Sequence, residues 1–288
     1  MPNSKNSWKF TEREKSKIIK LWKSGLSTIS ISKIYSCDDE TIRQIIKKRV
    51  TEKEYKKIVN KHMKKFNKLR ELHQIRKPKL SKHLAWWVGV LKGDGHIHEA
   101  KNSRYVKLEV KDKDFRDRWA KIGFQLFKII PKLKQSIRNP GIYYIAMFNS
   151  KLLVSFLKEK FGSFGKYKWD VPKIIKKSSA KVKLGFLSGL FDAEGSFKTN
   201  LSLTFVSVNK IAINEVKQLL DESGIESRIR IEKPRNRPNS YGIISITHFR
   251  NLSLFAEKVN FTIERKRRTL INYITKMDMS GFNVPAYL

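Results

Sequence analysis

The sequence predicts an α+β protein in which two αββαββα units, related by a pseudo-twofold axis, follow a small all-α domain. An apolar helix that contains glycine and ends in an acidic residue occurs twice. Each occurrence precedes alternating apolar and polar residues, the pattern of strands with one buried face. Three short helical patterns near the start predict the extra domain. We expect boundaries of 1–50 for the helical domain, 51–80 for a basic helical linker, and 81–165 and 166–288 for the two units.

The charge of the chain points to a polyanionic partner. Its 288 residues include 62 Lys and Arg against 26 Asp and Glu, a formal net charge of +36. Such a body repels itself unless a polyanion neutralises it, so nucleic acid is the expected partner. A membrane is not expected, because the basic residues run through every segment and no apolar run approaches the roughly 20 residues of a span. With no signal peptide visible, we expect an intracellular protein.

The number of cysteines limits the disulfides and the metal sites that the chain can form. Cys37 is the only cysteine in the sequence. A disulfide framework and a cysteine-based zinc site are therefore excluded.

The first 50 residues indicate three short helices. Thr11 and Glu14 have the spacing of a capping box at the start of the first helix, and Gly25 is suited to end it. The second is expected at about 28–35, and the third begins near Asp38 or Asp39. The arrangement resembles a helix-turn-helix of the resolvase or transposase type, although any three-helix bundle is compatible with it.

In a helix-turn-helix the third helix enters the major groove. Its exposed positions carry side chains suited to phosphates and base edges. The residues expected to contact DNA there are Arg43, Gln44 and Lys47.

The two acid-tipped helices are the most informative repeat. Residues 87–95 read WVGVLKGDG and residues 187–195 read LSGLFDAEG. Glycine inside a helix costs about 0.5–1 kcal/mol relative to alanine, and close packing of two helix backbones would offset that cost. If the helices pack side by side, Asp94 and Glu194 meet at the same end. Two carboxylates at negative helix ends repel each other, and a hard divalent cation resolves the conflict.

These stretches also resemble a known family. LSGLFDAEG is similar to the LAGLIDADG signature, WVGVLKGDG is a looser match, and KWDVPK at 168–173 is similar to a Trp-x-x-Pro element of many members. The resemblance covers about 81–275. It implies two saddle-shaped units that straddle duplex DNA with the motif helices at their interface. Because both motifs stand in one chain, we expect a monomer.

The family consists largely of homing endonucleases, so the resemblance implies site-specific hydrolysis of one phosphodiester in each DNA strand. The acidic residues Asp94 and Glu194 would hold Mg²⁺, or another divalent cation such as Mn²⁺ or Ca²⁺. The backbone carbonyls of Gly93 and Ala193 would assist. Lys92 stands where members of the family often have an acid, and Glu194 replaces the commoner Asp.

Further active-site residues follow from the resemblance. The family adds polar and basic side chains that order the water network. The matching candidates are Asn209, Lys168 and Lys266, with Asp112 and Lys166 as additional possibilities.

DNA contacts are expected on the alternating strands. His96 and His98 follow the first acid at alternate positions, but the second copy has Ser196 there, so polar DNA contacts are favoured over metal ligation. The remaining candidates are Lys107, Glu109, Lys111, Arg228, Arg230 and Lys233 on strands, and Arg235 and Arg237 in a hairpin loop.

Two other functions remain open on the same fold. A transcription regulator would bind DNA without cutting it, and the predicted helix-turn-helix favours that possibility. An intron RNA maturase would bind structured RNA.

Overall fold

The computed structural model describes residues 10–71, 75–101, 103–139, 141–165, 167–198, 202–233 and 240–279. The chain divides into two compact units, Met1–Gln74 and Ile75–Leu288. The first is helical and the second contains both sheets. The α+β class predicted from the sequence is confirmed.

The described part of the N-terminal unit, residues 10–71, contains four helices: α1 Glu12–Ser24, α2 Thr28–Ile34, α3 Asp39–Arg49 and α4 Glu52–Glu71. The predicted capping box is present, since the Thr11 hydroxyl accepts from the Glu14 amide and the Thr11 amide donates to the Glu14 carboxylate at 2.8 Å. Gly25 ends α1 at φ 111°, a left-handed conformation that favours glycine. The buried side chains of this unit include Ile18, Trp22, Ile31, Ile42, Ile45 and Ile46.

The start of α4 belongs to this helical core. Tyr55 stacks on Trp22 with ring centroids 5.2 Å apart, and Ile58 and Val59 pack against the same core. The first part of the segment predicted as a linker, 51–80, is therefore a packed element of the N-terminal unit.

The second unit repeats one order of elements. The first copy comprises α5 Lys82–Gly93, β1 Gly95–Ala100, β2 Ser103–Val110, α6 Lys113–Phe127, β3 Lys132–Arg138, β4 Gly141–Asn149 and α7 Lys151–Phe161. After the short α8, Lys173–Lys176, the second comprises α9 Ala180–Glu194, β5 Gly195–Lys198, β6 Ser202–Ser207, α10 Lys210–Glu222, β7 Arg228–Glu232, β8 Tyr241–Ile246 and α11 Phe249–Lys258. A last helix, α12, spans Glu264–Met279. The predicted αββαββα repeat is confirmed.

Each copy has a four-stranded antiparallel sheet. The strand orders are β1-β2-β4-β3 and β5-β6-β8-β7, so the two sheets have the same topology. Alternation along β2 sets the two faces: Val106 and Leu108 are buried, whereas Lys107 and Glu109 lie on the opposite face. Helices α6 and α7 pack against β4 and β2 of the first sheet, and α10 packs against β6, β7 and β8 of the second.

None of the helices in the described part of the chain combines the length and the apolar composition needed to cross a bilayer.

Candidate active site

The motif helices α5 and α9 touch through their backbones. A methyl group added to Gly89 would collide with the carbonyl oxygen of Phe186, and one added to Gly189 would collide with that of Trp86. Farther toward the N-termini, a methyl group on Gly185 would lie 2.6 Å from the carbonyl oxygen of Lys82. The glycines are therefore required by the close approach of the two helices, as the repeat predicts.

The same packing brings the acidic ends of the helices together. A Cβ atom on Gly93 would lie 2.5 Å from Ala193 Cβ and 3.2 Å from Glu194 Cγ. Asp94 follows directly and ends α5, its amide donating to the Val90 carbonyl at 3.0 Å. Asp94 and Glu194 both line one cleft of about 1430 Å³.

Burial and two neighbouring charges shift the pKa of Asp94 in opposite directions. The residue reaches solvent through the open cleft, but the protein surrounds its carboxylate on several sides. This partial removal from water raises the pKa of Asp94, the positive charge of Lys266 lowers it, and the negative charge of Asp112 raises it. A second cation in the cleft would favour the ionised carboxylate.

The Lys266 side chain binds carbonyl groups at the C-terminal end of α9. Its ammonium donates to the carbonyl oxygens of Asp192 at 2.6 Å and Gly195 at 2.7 Å, and lies 3.4 Å from that of Ala193. Burial lowers the pKa of Lys266, whereas the charges of Asp192 and Asp94 raise it. The carbonyl of Ala193, expected as a metal ligand, is thus shared with an ammonium group.

Position 92 of the first motif helix carries a buried cation. The Lys92 ammonium donates to the carbonyl oxygens of Phe161 at 2.8 Å and Ser163 at 2.6 Å, and lies 3.9 Å from Asp170. Burial lowers the pKa of Lys92 to about 8, and the charge of Asp170 opposes that shift. Lys92 therefore satisfies backbone acceptors just after α7.

The corresponding position 192 carries a buried anion. The Asp192 carboxylate accepts from Trp86 Nε1 at 2.7 Å, from the Thr262 amide at 2.6 Å and hydroxyl at 2.7 Å, and from the Ile263 amide at 3.3 Å. Burial raises the pKa of Asp192, and these hydrogen bonds lower it. The sequence singled out Lys92 as a departure from the family pattern, but it gave no signal of the backbone partners of Lys92 and Asp192, which lie 69 to 71 residues away in the chain.

The structure places Asn209, one of the expected active-site residues, in contact with backbone groups of its own fold. The residue is 5% exposed and caps α10: its side-chain oxygen accepts from the Ile211 amide at 3.2 Å and the Ala212 amide at 3.3 Å. Its amide nitrogen donates to the Trp169 carbonyl. The amide oxygen and the amide nitrogen of this side chain both contact backbone groups, and these contacts hold the start of α10 and the Trp169 segment together.

The other predicted polar residues are dispersed. Lys168 is exposed beside Gly165 and Trp169, two residues that line the cleft, and Lys166 lies outside the described residues. Asp112 is bound to Arg265 by two hydrogen bonds of 2.7 and 2.9 Å. This ion pair joins α12 to the start of α6, and sequence reasoning did not find it.

Several predicted DNA contacts share the polar face of the first sheet. His96 pairs with Lys107 and His98 with Tyr105 across β1 and β2, and His98 stacks on Tyr105 at 4.6 Å. Lys107 donates to Glu109 at 2.8 Å. Lys111 lies just beyond β2, with its ammonium 5.6 Å from the centre of the Tyr143 ring. Burial is the main cause that lowers the pKa of His96.

No group of three or more His, Cys, Asp or Glu side chains placed to hold a metal occurs within the described ranges.

The second sheet supplies a matching basic edge. Arg228 and Arg230 are exposed on β7, and Lys233 is exposed just after it. Arg230 lines the cleft and forms an ion pair with Glu232 at 2.5 Å. Arg235 and Arg237, predicted in the hairpin loop, lie outside the described residues.

In the N-terminal unit, α3 presents the predicted contact residues to solvent. Arg43, Gln44 and Lys47 are all exposed. Arg43 forms an ion pair with Asp39 on the same helix, with the two groups 2.6 Å apart.

The match to a known domain family falls on the second copy of the repeat. Residues 181–260 match the family model of the LAGLIDADG-like domain, and the first copy has the same order of elements and its own acid-tipped helix. The chain therefore carries a LAGLIDADG-like domain. Its similarity extends to the replication factor C small subunit of Methanocaldococcus jannaschii, with 32% identity over 199 residues, which are 67% of this chain and 10% of that protein. It also resembles the uncharacterized protein MJ0398 of the same archaeon, with 28% identity across 74% of this chain and 78% of that protein.

Solved structures support the LAGLIDADG fold. Mesophilic variants of the homing endonuclease I-DmoI match with a TM-score of 0.51 and 17% identity, covering 67% of this chain and 98% of theirs. I-DmoI in complex with DNA and Ca matches with a TM-score of 0.51 and 16% identity over the same shares. This LAGLIDADG protein thus shares its fold with a homing endonuclease.

Proposed function

We propose that this LAGLIDADG protein is a divalent-metal-dependent endonuclease that cuts both strands of duplex DNA at a specific site. One observation carries the proposal: two helices packed backbone to backbone place Asp94 and Glu194 at adjoining ends in one cleft. A protein that only binds DNA gains nothing from such a pair of acids, because carboxylates repel phosphates. The similarity to I-DmoI, a homing endonuclease crystallised with DNA, agrees with this choice.

The residues at the helix ends fit a hard divalent cation. Mg²⁺ is usually held by one or two carboxylates, with waters and substrate phosphates completing its shell. Asp94 and Glu194 supply the carboxylates, and the carbonyl of Gly93 is a further oxygen ligand. A bound divalent ion would polarise the phosphoryl oxygens and lower the pKa of a coordinated water. We therefore propose Mg²⁺, with Mn²⁺ or Ca²⁺ as possible substitutes.

The surrounding side chains would orient this centre. Lys266 holds the end of α9 through the Asp192 and Gly195 carbonyls, and its charge lowers the pKa of Asp94. Glu194 is thereby presented from a fixed helix end. Lys266 acts as a positioning cation in this proposal.

The polar faces of the two sheets would bind the duplex. Lys107, Arg228 and Arg230 would contact phosphates or base edges, and His96 lines the same cleft as Asp94. Exposed residues of α3 would add contacts if the N-terminal unit acts as a helix-turn-helix. A gene that invades introns or inteins would use such an enzyme for mobility.

The test begins with binding, because the target site is unknown. A duplex bound by the chain in EDTA is selected from a random-sequence pool and cloned into a plasmid. We expect linear product with Mg²⁺ or Mn²⁺, none with EDTA, and none from Asp94→Asn or Glu194→Gln. Asp221→Asn, an exposed change on α10, is the matched control and should cut normally. Tight, specific binding by the wild type without cutting in either metal would contradict the enzyme.

That contrary outcome would favour a second function, a non-cleaving transcription regulator. The observation in its favour is the separate helical unit with Arg43, Gln44 and Lys47 exposed on α3. A preference for structured intron RNA over the selected duplex would instead indicate a maturase.

A further inference from the structure

We propose that Lys92 and Asp192 are positioning residues that hold the two acids in place for metal. This inference rests on the proposed function. Each side chain lies two positions before an acid, in the last turn of a motif helix. Each ties that turn to the chain segment that follows the closing helix of its own copy.

The first anchor joins the end of α5 to a wall of the cleft. The Lys92 ammonium is bound to the carbonyls of Phe161 and Ser163, and lies 4.6 Å from the centre of the Phe164 ring. The segment from Gly162 to Gly165 lines the cleft together with Asp94. Lys92 therefore fixes the acid and the adjacent wall relative to each other.

The second anchor joins the end of α9 to the start of α12. Asp192 accepts the amides of Thr262 and Ile263 and the hydroxyl of Thr262. That segment leads to Lys266, whose ammonium returns to the carbonyls at the end of α9. The segment from Thr262 to Lys266 is thus bound at two points to the C-terminal end of α9, which carries Glu194. One point is Asp192, and the other is the group of carbonyls that Lys266 contacts.

The opposite charges follow from the opposite backbone groups that the anchors meet. The last residue of α7 and the segment after it present carbonyl oxygens, which need a donor, whereas the segment after α11 presents amide N–H groups, which need an acceptor. A carboxylate at position 92 would face two carbonyl oxygens. An ammonium at position 192 would face three donors and the Trp86 indole N–H. The departure of Lys92 from the family pattern is therefore matched to its surroundings.

The anchors affect metal binding because ligand geometry is strict. Metal–ligand distances must hold within about 0.2 Å, and changes in the residues that orient ligands typically cost about 10- to 100-fold in metal affinity. Loosening the last turn of α5 would displace Asp94 by more than that tolerance. The acids would remain, but they would no longer meet at one ion.

A buried arginine offers the matched control. Arg116 on α6 is also a buried cation that donates to two carbonyls, those of Lys134 at 3.3 Å and Ile145 at 3.2 Å. It holds β3 and β4 rather than a motif helix. Arg116→Met therefore removes the same kind of interaction away from the acids.

The experiment measures Mn²⁺ binding by electron paramagnetic resonance on the full chain, with thermal melting of each variant in parallel. We expect Lys92→Met and Asp192→Asn to weaken Mn²⁺ binding by about 10-fold or more. Arg116→Met should lower the melting temperature and leave Mn²⁺ affinity within about twofold of wild type. Lys92→Arg, which retains donors for both carbonyls, should recover most of the affinity.

Two results would overturn the inference in different ways. If Lys92→Met and Arg116→Met have equal effects on Mn²⁺ affinity while the wild type binds metal and cuts DNA, the anchors are merely structural and the nuclease stands. If the wild type neither binds Mn²⁺ nor cuts the selected plasmid, the proposed function itself fails and the anchors have no metal to position.

Discussion

Gly89 of α5 and Gly189 of α9 occupy corresponding positions, and each lies against the backbone of the opposite helix. Substituting Gly189 by Ala should lower the free energy of unfolding by about 3 kcal/mol or more, because the added methyl group has no space. Helix propensity alone would raise stability by about 0.5–1 kcal/mol, so the two effects have opposite signs. Urea denaturation of the full chain measures the difference.

Gly165→Ala is the control for that prediction. An added Cβ atom there would have no neighbour closer than 3.8 Å. We expect little change in its unfolding curve. A Gly189→Ala protein more stable than wild type would show that the helices do not touch as described.

Asn209→Ala should lower the stability of the fold and leave the rate of DNA cleavage unchanged. Loss of an N-cap costs about 1–2 kcal/mol, and here the Trp169 carbonyl also loses its donor. Cleavage of the selected plasmid, measured well below the melting temperature, should keep its wild-type rate. A large fall in rate with unchanged stability would restore the catalytic role that the family resemblance implied.

The ion pair between Asp112 and Arg265 should contribute modestly to stability. Arg265 is 66% exposed and Asp112 is 20% exposed, so solvent screens their attraction. A double-mutant cycle with Asp112→Asn and Arg265→Gln should give a coupling of about 0.5–1 kcal/mol, smaller in 1 M salt. A coupling that salt leaves unchanged would contradict this electrostatic account.

Binding to the selected duplex should weaken steeply with salt. Each phosphate contact contributes a slope of about −0.9 in the logarithm of affinity against the logarithm of salt concentration. Removing a phosphate-binding residue on the sheet face, as in Lys107→Gln or Arg230→Gln, should reduce the slope by about one contact each. Lys121→Gln, an exposed change on α6, should leave it unaltered. Equal slopes for all three variants would show that the duplex binds to another surface of the protein.

Local patterns in the sequence predicted most elements of the fold. The Thr11 capping box, the Gly25 helix end and the alternating strands depend on neighbours within a few residues, so their spacing is visible in the chain. The twofold repeat extended those predictions to the architecture. The contact between Asn209 and the Trp169 carbonyl has no such local signal, because it joins segments 40 residues apart.

By itself, the sequence determined that two glycine-bearing helices end in acids and that a strongly basic body surrounds them. Periodicity, glycine cost and charge are properties of the residues and need no coordinates. Only the tertiary structure decided what Lys92, Asp192 and Lys266 hold, because each meets backbone groups from distant segments. Whether a buried charge finds carbonyl oxygens or amide protons depends on which helix end the fold brings to it.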